Sequence, residues 1–168
     1  MKDINIVLAL LMMLALNACS QPKSEGKVVS GSSEDVKIYP EAKPNAYWKK
    51  VLSQDAYEIM VNKGTEAPFN NPYWNNHEKG TYVSAATGKP LFSSDAKYDS
   101  GTGWPRFFKP IDPKAIMIIK DTSAGMVRDE VVERSTGLHL GHLFDDGPAP
   151  TGLRYCLDSY ALKFVKAK

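Results

Sequence analysis

His139-Leu140-Gly141-His142-Leu143-Phe144-Asp145-Asp146-Gly147-Pro148-Ala149-Pro150-Thr151-Gly152-Leu153-Arg154-Tyr155-Cys156-Leu157-Asp158 is two strand-length runs separated by glycines and prolines. The turn signals Gly147-Pro148 and Thr151-Gly152 fold the histidine run back antiparallel to the cysteine run. Such a hairpin collects two of the three histidines, three acidic residues, an arginine and a cysteine. Positive charge beside a thiol lowers its pKa from about 8.5, and the thiolate is the nucleophile. The residues support a second reading equally: Cys156 as a small buried hydrophobe, with His139 and His142 as core or surface histidines.

Working outward, strand-length segments recur at Thr81 to Ser84, Pro90 to Ser93, Ala115 to Ile119, Met126 to Glu133 and Ala161 to Val165. Turn residues at Thr87-Gly88 and Asp121 to Gly125 separate several of them. N-terminal to these, Trp48, Val51 and Leu52 lie at helical spacing within Ala46 to Leu52. Ser53 is an N-cap candidate for a second helix through Ala56, Ile59 and Met60, with Gly64 placed to stop it. Thr65 to Lys79 reads as a wrapped loop, with His77 on the surface. The pattern predicts a mainly β domain of two antiparallel sheets with short N-terminal helices.

The chain has 168 residues, enough for one domain once a leader is set aside, and its net charge of +2 gives no footprint for nucleic acid. Residues 1–18 read as an export signal, with Lys2 before an apolar run from Ile4 to Leu16 that is short for a membrane span. The sequence Leu16-Asn17-Ala18-Cys19 resembles a bacterial lipobox, which makes Cys19 a lipidation site; an ordinary cleaved signal with an incidental cysteine is the alternative. Ser20 after the cysteine points to the outer membrane, in a periplasm-facing position of the cell envelope. Residues 19–44 read as a lipidated flexible tether and 45–168 as the domain. Cys156 is then the only thiol of the domain, which excludes a disulfide framework and a multi-cysteine metal site.

Between the strands lies Ser100-Gly101-Thr102-Gly103-Trp104-Pro105-Arg106-Phe107-Phe108. Two glycines and a proline set an unusual backbone path that presents an indole, an aromatic face suited to an S-methyl or cationic ligand. On these residues alone, core packing is the favoured reading of Trp104.

Gly80 to Val83, Pro90 to Ser94, Ser100 to Pro105, His139 to Gly147 and Gly152 to Cys156 occur in the order and spacing of the type B methionine sulfoxide reductases. The resemblance spans roughly Asn45 to Val165. It implies the Mss4-like β-tent fold and assigns Cys156 as the nucleophile that takes oxygen from a methionine-R-sulfoxide as a sulfenic acid. It assigns His139 and His142 to positioning and protonating the substrate oxygen, Trp104 to the S-methyl group, and Phe144 to the same cavity. Arg154 and Asp145 match motif positions suited to charge balance around the thiolate and histidines. Sulfoxide reduction by a thiol needs a low-pKa sulfur, a proton donor and a dry methyl pocket, and no organic cofactor.

Three departures from the family pattern carry expectations of their own. The positions of the family's structural zinc ligands fall at Ser84, Thr87, Glu133 and Thr136, so no zinc is expected. The position of a resolving cysteine is Thr102, so an external small thiol or thioredoxin-like reductant is expected to recycle the enzyme. Asp158 stands where Asn is usual. A carboxylate about 6 Å from the thiolate, at an effective dielectric of about 20, opposes ionisation by about 2 to 3 kcal/mol.

The expected partners are oxidised proteins or peptides, the reductant and, through Cys19, a membrane; the expected state is a monomer. A non-catalytic sulfoxide-binding lipoprotein is the alternative, discriminated by sulfenic acid formation at Cys156, and a Cys/His hydrolase lacks a surrounding signature.

Overall fold

Ser53 caps a helix where the sequence places one: its side chain accepts the Ala56 N–H at 3.2 Å, and α2 runs Gln54–Met60 with Ala56, Ile59 and Met60 turned inward. The i, i+3, i+4 spacing makes that apolar stripe. Before it, α1 (Asn45–Val51) buries Trp48 and carries Lys49 and Lys50 in its last turn, where the helix dipole favours cations. Gly64 does not terminate α2; the helix ends at Met60, and the left-handed residue beyond it is Lys63, with φ +57°. The structure, a computed structural model, describes residues 38–99 and 101–168. The leader 1–18, Cys19, the first part of the tether and Ser100 lie outside the described residues.

The end of the segment read as tether lies against the domain. Glu41 donates its N–H to the Ser135 carbonyl at 2.7 Å, its carboxylate pairs with Lys89, and Tyr39 packs over Gly137. Composition hid this, because one aromatic and one acidic residue are enough to dock a short polar stretch.

The described residues form two antiparallel sheets. β1 (Gly80–Ser84) lies between β2 (Pro90–Ser93) and β9 (Leu162–Lys166). The larger sheet runs β3 (Lys97–Tyr98), β4 (Arg106–Phe107), β8 (Arg154–Leu157), β7 (His139–Phe144), β6 (Arg128–Glu133), β5 (Ile116–Asp121). The two-residue strands β3 and β4 are too short for a sequence pattern to reveal. Tyr82, Leu91, Phe92, Phe107, Val131, Leu140 and Leu157 fill the core between the sheets, with Phe92 and Phe107 ring centroids 4.8 Å apart.

One irregularity positions the site. In a regular strand, residues three apart face opposite sides. The β6–β7 register shifts between Val131, opposite Gly141, and Val132, opposite His139. Leu140 is the extra residue of a bulge, and it turns inward to the core. The insertion brings His139 to the face that carries His142 and Glu130, with the imidazole centroids 5.3 Å apart.

Candidate active site

Antiparallel pairing aligns one transverse row across the larger sheet. Arg106 of β4 is opposite Cys156 of β8, Cys156 is opposite His142 of β7, and His142 is opposite Glu130 of β6. Cross-strand partners share a face, so the expected hairpin does bring the thiol and an imidazole together. Gly141 makes the approach possible: a Cβ there would stand 2.2 Å from the Cys156 carbonyl oxygen.

Cys156 and His142 open into a cavity of about 140 Å³ lined also by Trp104, Phe144, Leu157, Asp158, Thr65 and Arg128. A larger hollow of about 260 Å³ beside Tyr73, Ala85 and Lys163 has no thiol or imidazole in its wall. Trp104 is held by its indole N–H, which donates to the Glu66 carbonyl at 3.2 Å. The preceding Gly103, at φ +87°, has no room for a side chain, since a Cβ would meet the Phe69 nitrogen at 2.5 Å. Its carbonyl accepts from Phe69 N–H at 2.9 Å and from Asn71 Nδ2 at 2.7 Å, which fixes the loop under the indole. Thr102, at the resolving-cysteine position, is half-buried, and its hydroxyl has no partner.

The electrostatics of the sulfur depart from the expectation of a depressed thiol pKa. Burial pushes Cys156 up; Arg106, by charge and hydrogen bonding, and Arg154, by charge, pull it down, while Asp158 adds to the rise. The net direction is upward. Sequence reasoning overlooked Arg106, which is 6% exposed with an unpartnered Nε. The available signal was its place two residues beyond Trp104.

His142 hydrogen-bonds Asp121 Oδ2 through Nε2 at 2.9 Å, and Arg128 donates to the same oxygen at 2.8 Å. Burial, outweighing the Asp121 hydrogen bond, lowers its pKa, with His139 and Arg128 adding to the fall. The ring is therefore neutral near pH 7, and an Nε2–H directed at Asp121 leaves the lone pair on Nδ1. His139 lies behind it, 2% exposed and outside the cavity wall. Its Nδ1 is 2.8 Å from Glu130 Oε1, and its Nε2 is 3.4 Å from Asp158 Oδ2 without hydrogen-bond alignment. Burial opposes charge on this ring, but Asp158 and Glu130 win and raise its pKa. Glu130 in turn accepts from Lys63 Nζ at 2.7 Å.

Arg154 forms a two-pronged pair with Asp146, Nε to Oδ1 at 2.5 Å and Nη2 to Oδ2 at 2.8 Å. Its guanidinium stacks 3.9 Å from the Phe144 ring centroid and holds that wall in place. Asp145, expected to balance charge, is exposed and outside the cavity wall. The partner is Asp146, two residues past Phe144, where the chain returns to the Arg154 side.

The four positions assigned to a zinc site do come together, on a different chemistry. Glu133 Oε2 accepts from the Ser84 and Thr136 hydroxyls, each at 2.9 Å, and Oε1 accepts from Thr87 at 2.5 Å and Ser135 at 3.3 Å. One carboxylate engaged by hydroxyls does not match the thiolate and imidazole donors of a structural zinc. Among the described residues no group of three or more His, Cys, Asp or Glu side chains is arranged to hold a metal ion.

Comparison with known proteins agrees with this geometry. The SelR domain model matches residues 52–166. A peptide methionine sulfoxide reductase MsrB of Saccharophagus degradans is 51% identical over 124 residues, 74% of this chain and 92% of that protein. The proteins of the same name from Leptospira interrogans and Agrobacterium fabrum are 50% and 48% identical over 128 and 122 residues. They cover 76% and 73% of this chain, and 98% and 90% of their own lengths. The chain belongs to the SelR-domain family, the type B methionine sulfoxide reductases.

Proposed function

We infer that the protein reduces methionine-R-sulfoxide residues to methionine in oxidised proteins or peptides, with Cys156 as nucleophile. The observation that carries this reading is one thiol on the wall of a small cavity that also holds an imidazole, an indole and a phenyl ring. Trp104 and Phe144 receive the S-methyl group and the side-chain methylenes, and His142 faces the sulfoxide oxygen. Cys156 sulfur attacks the sulfoxide sulfur while the thiol proton passes to oxygen, with His142 as carrier. A positioned proton donor contributes about 10²- to 10⁴-fold. The step balances without an added proton: thiol plus sulfoxide gives sulfenic acid plus thioether. The raised thiol pKa keeps that proton in the site until substrate arrives.

An external thiol then condenses with the sulfenic acid, releasing water and forming a mixed disulfide, and a second thiol restores Cys156. We propose a small thiol or thioredoxin-like donor for this role, because the domain offers no second cysteine. We also propose that the enzyme works without zinc, with the Glu133 cluster in the structural place of the metal, and that it is a monomer. Residues 1–19 support a further proposal, a lipoprotein tethered through Cys19 to the outer membrane and facing the periplasm.

The deciding experiment is turnover of the R and S epimers of methionine sulfoxide, free and in a peptide, by the domain with dithiothreitol. Consumption of the R epimer alone, abolished in Cys156→Ala, is expected; no turnover by a folded domain with an intact thiol overturns the reading. Release of the full-length protein from membranes by Cys19→Ala tests the anchor.

A further inference from the structure

Asp158 is 4% exposed and abuts the cavity, where a carboxylate beside a reacting thiol is unfavourable. Its surroundings explain how it is tolerated. The segment after α2 brings a second carboxyl against it. Glu66 is anchored by Oε1, which accepts the Ser159 N–H at 2.5 Å, and by its carbonyl under the Trp104 indole. Its Oε2 is buried with no hydrogen-bond partner, and the Asp158 carboxyl lies against the Glu66 carboxyl. Two bare carboxylates in contact cannot both stay ionised, whereas a carboxylic acid donates to a carboxylate.

We propose that Glu66 and Asp158 share one proton, held on Glu66 Oε2 and donated to Asp158, and that Glu66 is thereby a positioning residue for the His139 imidazole and the cavity. The proposal rests on the reductase reading above.

The contacts form one continuous chain, buried at Asp158, His139 and Glu130 and reaching solvent at Lys63: Glu66, Asp158, His139, Glu130, Lys63. With the shared proton in place and an imidazolium at His139, the charges are zero, minus, plus, minus, plus, and the chain is neutral. Without it a net negative charge is left beside Cys156, and a buried unpaired charge is expensive. The proton also gives Asp158 a donor neighbour, and a carboxylate so held keeps its other oxygen toward His139. Burial, and then the charge of Asp158, push the Glu66 pKa up to about 8, so the proton is present at neutral pH. The other charged groups facing this chain are few. Arg128, Asp121 and His142 stand across His139, and Arg106 and Arg154 stand across Cys156.

The test combines infrared spectroscopy and kinetics on the full-length protein, its Glu66→Gln and Glu66→Ala variants, and Asp158→Asn. Turnover of methionine-R-sulfoxide by the unaltered protein is measured first, since its failure would overturn the reductase reading itself. The expected infrared result is a protonated carboxylic acid band at pH 7 that disappears around pH 8 and is missing in Glu66→Gln. In kinetics, Glu66→Ala is expected to lose about tenfold in kcat/KM. Glu66→Gln, whose amide still donates to Asp158, restores most of that loss and removes the decline of kcat/KM around pH 8. A folded, active protein with no acid band at pH 7, or a band unchanged in Glu66→Gln, overturns the shared proton. So does a Glu66→Gln profile that declines as the unaltered protein does.

Discussion

Two carboxyl groups inside this domain are treated in opposite ways. Glu133, 1% exposed, receives four hydroxyl donors from Ser84, Thr87, Ser135 and Thr136 and ties the β1–β2 hairpin to the β6–β7 hairpin. Glu66 receives one backbone N–H and turns its other oxygen, without a donor, toward a second carboxyl. A buried carboxyl surrounded by donors has its lone pairs satisfied and adds rigidity, whereas one short of donors beside a second carboxyl favours keeping a proton. The first belongs to the scaffold, and the second borders the thiol. The same residue type thus serves stability in one place and chemistry in the other, and the roles are separated by donor count and by the neighbouring carboxyl of Asp158.

Variants separate the regions most sharply at the extremes. Cys156→Ala is expected to abolish turnover of the R epimer to the uncatalysed level while leaving the urea midpoint almost unmoved, because the substitution removes a single half-buried sulfur atom. Glu133→Ala is expected to do the reverse. Four hydroxyls lose their acceptor, and unfolding by urea should show a loss of about 2 to 4 kcal/mol, with kcat of the folded fraction within about twofold of normal. A Glu133→Ala protein of unchanged stability, or one folded but inactive, would break the division between the two carboxyls.

Arg106→Met probes the electrostatics of the thiol itself. Removing a charge-assisted hydrogen bond of about 1.5 to 3 kcal/mol raises the thiol pKa further. Iodoacetamide alkylation of Cys156 at pH 7 should slow at least about tenfold, with its pH midpoint displaced upward. An unmoved midpoint would mean that Arg106 has no part in setting the pKa of the sulfur.

How much of this was readable beforehand depended on the range of the interactions. The β1, β2 and β9 strands, the Ser53 cap and the Cys156 hairpin follow from local period and turn chemistry, and Trp104, His142 and Phe144, which the family resemblance assigned to one site, line one cavity. The bulge at Leu140 did not follow, because period-2 reasoning puts His139 and His142 on opposite faces. Glu66, Glu130 and Lys63 were invisible for another reason. Lys63 and Glu130 meet across 67 positions of sequence, and Glu66 and Ser159 across 93, so no window of composition joins them. Asp145, expected to balance charge around the thiolate and histidines, is exposed, and the carboxylate paired with Arg154 is its neighbour Asp146, a difference of one residue that pattern does not resolve where a strand ends in a turn.

The smallest expected effect concerns stability against pH, and it bears directly on the donor-starved carboxyl. Glu66 has its pKa raised from 4.5 to about 8, by burial first and Asp158 second. A group whose folded value lies above its unfolded value contributes stability that is fully present below the unfolded value and is lost as pH rises through the folded one. The domain should therefore lose stability through Glu66 as pH climbs from about 4.5 to about 8, and His139, also raised, adds in the same direction. His142, whose pKa is lowered, opposes this decline below about 6.5, while Asp121 and Glu130, also lowered, act with the opposite sign at more acid pH, outside that window. Asp158→Asn removes the neighbouring charge from both raised groups, so the decline should be shallower and finish at lower pH. Urea midpoints of the two proteins, compared across that window, measure the difference. Parallel curves would mean that burial alone holds the Glu66 proton, and that the contrast with Glu133 is one of donors without any part for Asp158.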